Sequence, residues 1–389
     1  MSPVTARKVN GSTATVSAVS RPRASLVWSD PQMPYYIVAQ TAVPVCCVGM
    51  PGSAKTATHY ALARALGRRF IVIVGSAMAP EDVGGLPIPD HLAGFVRMMP
   101  IQWAHYASTE PCLVLLDEIT SVGPDKQAPM LTVIQDKRCG DLHLLPDTLF
   151  AAACNPPEIA TNGMPLSKPM ANRFFHHNWT PNVKAWRAGL SNPQAPMTWV
   201  DPVFPILPTD WQTRVHKQAS LVDAFIGSAP DRVEVMPSDD ETLAFPTMRS
   251  WTNLIWALTA CDSVGAPEDV RRAVADGMIG RAVAGEFFSY VDRLDLADPE
   301  EILDGKAWSF DPARPDRGTA FLSALWVAVR GNPTKQRWQR ALDLLFSAAE
   351  YAPELACLYM ADAIEMKSPG LMPTPEQLRK MQALVARTK

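Results

Sequence analysis

The run GMPGSAKT, Gly49 to Thr56, combines the residue types that bind a nucleoside triphosphate's phosphates. Small residues let several backbone N–H groups converge on phosphate oxygens, a lysine neutralises charge on the β- and γ-phosphates, and a neighbouring hydroxyl can coordinate Mg²⁺. Gly49, Gly52, Lys55 and Thr56 supply those parts, and Pro51, Ser53, Ala54 and Ala57 complete the candidate nucleotide contacts. The usual spacing is G-x-x-x-x-G-K-[ST], and here Ala54 stands where the second glycine should be. A second run, LVLLDEIT from Leu113 to Thr120, ends an apolar stretch in two carboxylates. At the carboxyl edge of a sheet Asp117 can hold Mg²⁺ directly or through water, and Glu118 can orient and deprotonate a water attacking a γ-phosphate. Each run alone has a plain alternative, a surface turn for the first and a helix cap for the second. Together they point to nucleoside triphosphate chemistry.

The elements that must position these residues are legible around them. Val43, Val45, Cys46, Cys47 and Val48 read as a buried parallel strand feeding the loop. Ala57 to Leu66 then shows a helical stripe of Ala57, Tyr60, Ala61 and Ala65, widened by Leu62 and Leu66, and stops at Gly67. Phe70–Val74, Cys112–Leu116 and Thr148–Cys154 are further strand-like runs with helical spacing between them, an alternation that makes an α/β fold with a parallel sheet. Prolines, 36 in all, mark the loops. After about Asp210 helix patterns take over: Trp251, Leu254, Ile255 and Leu258 form one stripe, and Thr374-Pro375-Glu376-Gln377 reads as a capping box with proline at the first helical position.

Composition narrows the class. The chain has 389 residues, 47% hydrophobic and 19% charged, which suits two or three globular domains. With 36 Lys plus Arg against 39 Asp plus Glu, a net charge of −3 gives no footprint for nonspecific nucleic-acid binding, and Arg68-Arg69 and Arg271-Arg272 read as solvated helix faces. Seven cysteines without a C-x-x-C, no run of membrane-spanning length and no signal-peptide core predict reduced thiols and a cytoplasmic protein. His176-His177 is not expected to be a metal pair, since adjacent residues on a strand point to opposite faces. Cys46-Cys47 reads as buried filling, and most of the 11 Trp, including Trp179, Trp186, Trp211, Trp251, Trp256 and Trp326, as core or helix-face packing.

On GMPGSAKT and LVLLDEIT the chain resembles the AAA+ ATPases, and within them the MoxR-like branch, across roughly Pro34 to Ala260. Members of that branch often carry alanine before the phosphate-loop lysine, as at Ala54. The resemblance implies a parallel five-stranded sheet sandwiched by helices over 34–209, a helical lid domain with a C-terminal extension over 210–389, and an N-terminal extension over 1–33. ACNPPE brings Asn155 to the sensor 1 position, where an amide places the lytic water. LSKPMANRF brings Arg173 to the arginine finger delivered from a neighbouring subunit. AFPTMRSW brings Arg249 to sensor 2, reaching through the lid to the γ-phosphate of nucleotide at the domain junction. Gly75–Ala107 is similar to the helix 2 insert, a small hairpin and helix at the ring's axis, and a second hairpin is expected within Lys137–Leu145.

The resemblance further implies ATP and Mg²⁺ as cofactors, a homo-hexamer or other homo-oligomeric ring, and hydrolysis coupled to remodelling, assembly or metal insertion of a client. A protein with a von Willebrand factor A domain is the kind of client often paired with this branch. Two other readings use the same parts: the ATPase subunit of a nucleic-acid-acting or defence complex, against which the acidic balance stands, and a nucleotide-sensing scaffold that does not hydrolyse.

Overall fold

A computed structural model describes residues 28–77, 79–156, 158–159, 163–191, 201–239, 242–294, 297–354, 356–357, 359–360, 371 and 373–387. Most of the expected N-terminal extension, residues 1–27, lies outside them. The chain enters through α1 (Met33–Val38) and then alternates β1 (Val45–Val48), α2 (Lys55–Ala65) and β2 (Arg69–Val74). An insert follows, made of α3 (Glu81–Gly84), β3 (Leu86–Asp90), β4 (Phe95–Met99) and α4 (Gln102–Thr109). Then come β5 (Cys112–Asp117), α5 (Pro124–Asp136), the short pair β6 (Arg138–Cys139) and β7 (Leu142–His143), β8 (Leu149–Cys154), α6 (Lys168–Ala171), β9 (Phe175–Asn178) and α7 (Val183–Leu190). The five long-range strands form one sheet in the order β2-β5-β8-β1-β9, with every pairing parallel.

The strands lie inside because both of their faces are apolar. Side chains alternate across a strand, and the two cores follow that alternation. Val45 and Cys47 of β1, Leu113 and Leu115 of β5, and Leu149, Ala151 and Ala153 of β8 face one core. Cys46, Cys112, Val114, Leu116, Phe150, Ala152 and Cys154 face the other. Parallel strands buried on both faces need helices on each side, and the two faces differ in what covers them. The first core is shared with α1 and with the lid helices α8 (Val215–Ser228), α9 (Met248–Ser263), α10 (Glu268–Ile279) and α11 (Arg281–Leu294). The second is closed by α4, α5 and α6.

The helical half contains a further core of its own, built from α12 (Pro299–Leu303), α13 (Pro315–Gly331), α14 (Lys335–Ala349) and the final helix Pro375–Arg387. That final helix opens with the expected reciprocal cap: Thr374 N–H donates to Gln377 Oε1 at 2.9 Å and Gln377 N–H to Thr374 Oγ1 at 3.2 Å. Lid and sheet meet closely. Gly277 of α10 lies against β9, where an added Cβ would fall 2.1 Å from the His176 carbonyl.

Three local readings change. The buried face of α2 is Thr58, His59, Ala61, Leu62 and Ala63, whereas Ala57, Tyr60 and Ala65 face outward. Apolar type misled here because His59 has partners waiting for it inside. Arg69 opens β2 and does not sit on a helix. Trp186 is 57% exposed on α7, so it is not core packing.

His59 is fully buried, and His176 and His177 are half-buried on β9. Desolvation lowers all three pKa values to about 4. A histidine near pKa 6.5 when unfolded and about 4 when folded binds more protons in the unfolded chain between those values, so stability falls as pH falls through that window. Chemical denaturation should therefore give a stability that drops between pH 6.5 and 5, before carboxylates titrate, by up to about 1.4 kcal/mol per pH unit for each fully buried neutral ring. A flat profile over that interval would show that these rings charge without cost.

Candidate nucleotide site

β1 ends between two neighbours, and that placement sets the loop. Gly49 N–H continues the ladder to Cys154 O at 3.1 Å, and Trp179 N–H reaches Val48 O at 2.7 Å on the other side. A Cβ on Gly49 would fall 2.7 Å from Trp179 Cβ and 2.8 Å from its carbonyl oxygen. Glycine is needed there for close approach. The loop then takes left-handed backbone at Gly52 (φ 72°) and Ala54 (φ 63°) before α2 begins at Lys55. Ala54 thus adopts a conformation glycine takes freely and alanine takes at a cost of about 1–2 kcal/mol.

A cleft of about 340 Å³ lies over the loop, lined by Pro51 to Ala57, Asp117, Glu118, Cys154 and Asn155. Lys55 is buried, and its Nζ donates to Gly49 O at 2.7 Å, Met50 O at 3.0 Å and Asn155 Oδ1 at 3.2 Å. A buried ammonium needs such acceptors. Thr56 Oγ1 donates to Asp117 Oδ2 at 2.9 Å, which brings a hydroxyl and a carboxylate from α2 and β5 together at one edge of the cleft. Oxygen donors of this kind suit a hard divalent cation, so Thr56 and Asp117 fit the Mg²⁺ that accompanies a triphosphate. The amides of Lys55, Thr56 and Ala57 precede any intrahelical acceptor, and the positive end of the helix faces the same cleft.

Glu118 follows β5 in left-handed backbone (φ 55°), and its Oε2 accepts from Ser76 Oγ at 2.6 Å. Ser76 was not legible as a site residue, because the turn after β2 carries no motif and reaches Glu118 only through the parallel β2–β5 pairing. The expected cleft set is brought together: Gly49 starts the loop, and Pro51 to Ala57, Asp117, Glu118 and Asn155 line the cavity.

The two arginines lie elsewhere. Arg173 donates through Nη1 to Pro169 O at 2.5 Å and through Nη2 to Gln135 Oε1. Arg249, at the start of α9, makes long contacts to the same Gln135 Oε1 at 3.5 Å and to Asn172 Oδ1 at 3.4 Å. Burial and the adjacent Arg249 charge lower the pKa of Arg173. The capping box of Thr247 and Ser250 fixes the start of α9 beside Asn172, and Arg249 is not among the residues that line the cleft. Asn172, which precedes Arg173, is the bridge, since it accepts from both Thr247 Oγ1 and Arg249.

Residues 45–176, from β1 to β9, match the family model described as the ATPase family associated with various cellular activities (AAA). A Lon protease from Methylocella silvestris is 31% identical over 111 residues, which cover 26% of this chain and 13% of that protein. A solved structure of an inferred ATPase from Cytophaga hutchinsonii aligns with a TM-score of 0.44 at 16% identity, covering 68% of this chain and 90% of that one. Residues 45–176 are thus similar to the ATPase domain of that family. Among the described residues, no helix is long and apolar enough to cross a membrane.

Gly49→Ala tests the close approach of Trp179 to the loop. The added methyl meets backbone, so the variant should unfold at a lower temperature and bind nucleotide at least tenfold more weakly; unchanged melting and affinity would mean that β9 can move aside.

Proposed function

We propose that the chain is a Mg²⁺-dependent ATP hydrolase of the MoxR-like kind, working as a homo-oligomeric ring, with a hexamer as the expected form, and coupling hydrolysis to remodelling or assembly of a partner protein. The observation that carries the reading is the separation of parts. The cleft holds Lys55, Thr56, Asp117, Glu118 and Asn155, while Arg173 and Arg249 are paired outside it. An arginine finger that does not line its own cleft suits the cleft of a neighbouring copy.

Bound MgATP would supply an electrophilic γ-phosphoryl group and a cation that neutralises charge developing on it. The chain's own residues would do the rest. Lys55 would exchange its carbonyl acceptors for phosphate oxygens, and Thr56 and Asp117 would hold the metal. Glu118, released from Ser76, would take the proton of the attacking water, which Asn155 orients from the tip of β8. Arg173 would stabilise the transferring group across the subunit boundary, with Arg249 carried beside it by the lid.

The insert supports a protein client. Its β3–β4 hairpin exposes Leu86, Ile88, Leu92, Phe95 and Val96. Two basic residues of the inserts are engaged within the chain: Arg97 Nε donates to Asp90 at 2.7 Å, and Lys137 Nζ donates to the Pro146 and Thr148 carbonyls, both at 2.6 Å. Burial lowers the Lys137 pKa to about 8. A client bearing a von Willebrand factor A domain remains the family-based proposal.

Two measurements test this. Glu118→Gln should bind ATP normally and hydrolyse it on the order of 100-fold more slowly or worse, and unchanged turnover would remove Glu118 from the mechanism. Arg173→Ala should lose about 1,000-fold in turnover. Mixing it with Glu118→Gln should restore part of the rate, because each Glu118→Gln subunit lends an intact Arg173 to a neighbour with an intact Glu118. Absence of any restoration in mixed rings would place Arg173 within its own subunit.

A further inference from the structure

We infer that Trp179 is a positioning residue of the phosphate loop, holding the Ser53–Ala54 peptide so that the Ala54 amide faces the nucleotide cleft. The inference rests on the nucleotide reading above. It starts from a bond that connects two distant parts of the chain: the Trp179 indole Nε1–H donates to Ser53 O at 3.0 Å. In a trans planar peptide the carbonyl and the next N–H point in opposite directions. Fixing Ser53 O toward Trp179 therefore fixes the Ala54 N–H away from it, toward the side where Ser53, Ala54 and Lys55 line the cleft.

Such a hold matters more in this chain than in one with glycine before the lysine. Ala54 sits at φ 63° and ψ 26°, a left-handed conformation that crowds its Cβ. Glycine would keep that conformation unaided. Alanine needs an external bond, and the indole provides one.

The indole is itself braced by buried aromatic groups. The His59 ring stacks on it, with centroids 6.2 Å apart and planes 18° from parallel. Tyr35 stands edge-on to both, at 5.4 Å from His59 and 5.5 Å from Trp179. His59 cannot rotate freely, because Nδ1 lies 2.7 Å from Lys55 O and Nε2 lies 2.5 Å from Tyr35 Oη. A carbonyl only accepts, so Nδ1 carries the proton and Nε2 accepts from the tyrosine hydroxyl, the arrangement of a neutral ring. Tyr35 belongs to α1, which packs on α9 and α10. The brace thus joins the phosphate loop to the lid through two side-chain contacts.

The test is a double-mutant cycle read by calorimetric titration of the full chain with MgATP. Trp179→Phe keeps an aromatic ring and removes the N–H, and should weaken MgATP binding about fivefold, the value of one hydrogen bond. In an Ala54→Gly background the same substitution should cost less than twofold, since glycine holds the left-handed turn without help. Equal losses in both backgrounds would reduce Trp179 to packing and overturn the inference, as would a Trp179→Phe chain that binds like the wild type. Tyr35→Phe, which leaves the indole bond and loosens its brace, should weaken binding about twofold. If Trp179→Phe fails to fold, unchanged affinity in Tyr35→Phe counts against the inference. A wild-type chain that binds no MgATP overturns the nucleotide reading and this inference with it, whereas a binding wild type beside an unaffected Trp179→Phe overturns this inference alone.

Discussion

β1 has a parallel neighbour on each side, and the rest of the site depends on that pairing. β8 on one flank delivers Asn155, β9 on the other delivers Trp179, and β5 beyond β8 delivers Asp117 and Glu118. All four strands run the same way, so their carboxyl ends open onto one edge, the place where parallel sheets bind ligands. Gly49 still hydrogen-bonds to β8 as it leaves the sheet, which fixes where the loop begins. Lys55 then turns back to the Gly49 and Met50 carbonyls, tying the end of the loop to its start. The buried ammonium is thereby compensated within the chain.

Much of this was legible in the sequence where the signal is local. A strand running into a glycine-rich loop, an apolar run ending in Asp117-Glu118, and a strand ending at Asn155 are each contiguous, and each lies where its pattern placed it. The insert was implied by the resemblance and the second hairpin expected beside it, and a hairpin lies in each segment. What failed depended on partners far along the chain. The inward face of α2 is set by His59, whose buried ring meets Tyr35 and Trp179 from distant parts of the chain. Ser76 meets Glu118 only because β2 and β5 are adjacent. Trp179 could be read as packing, but the acceptor for its N–H lies in the phosphate loop. No periodicity reports a hydrogen bond of that reach.

The helical half shows a similar limit. Its stripes predict helices well, yet they do not reveal that α8 to α11 complete the core of the sheet while the segments after them enclose a separate core. A lid that shares its core with the sheet cannot swing without disturbing β9, because α10 meets the His176 backbone at Gly277 with no room for a side chain. Lid position and sheet geometry are therefore mechanically linked. β9 carries Trp179 just beyond its end, and Trp179 holds the phosphate loop. Lid, strand and loop form one chain of contacts.

The arginine pair carries the argument one step further. Arg173 and Arg249 converge on a single amide oxygen of Gln135, and the buried Nε of Arg173 has no hydrogen-bond partner. Two like charges competing for one neutral acceptor repel each other, and partial burial reduces the screening that water would give them. An incoming anion with several oxygens would turn the repulsion into attraction at both guanidinium groups and offer acceptors to the donors that Gln135 leaves unpaired. The residues lining the chain's own cleft do not include these arginines. Asn172 ties the pair to the fold, since its bonds to Thr247 and Arg249 join the start of α9 to the segment that carries Arg173.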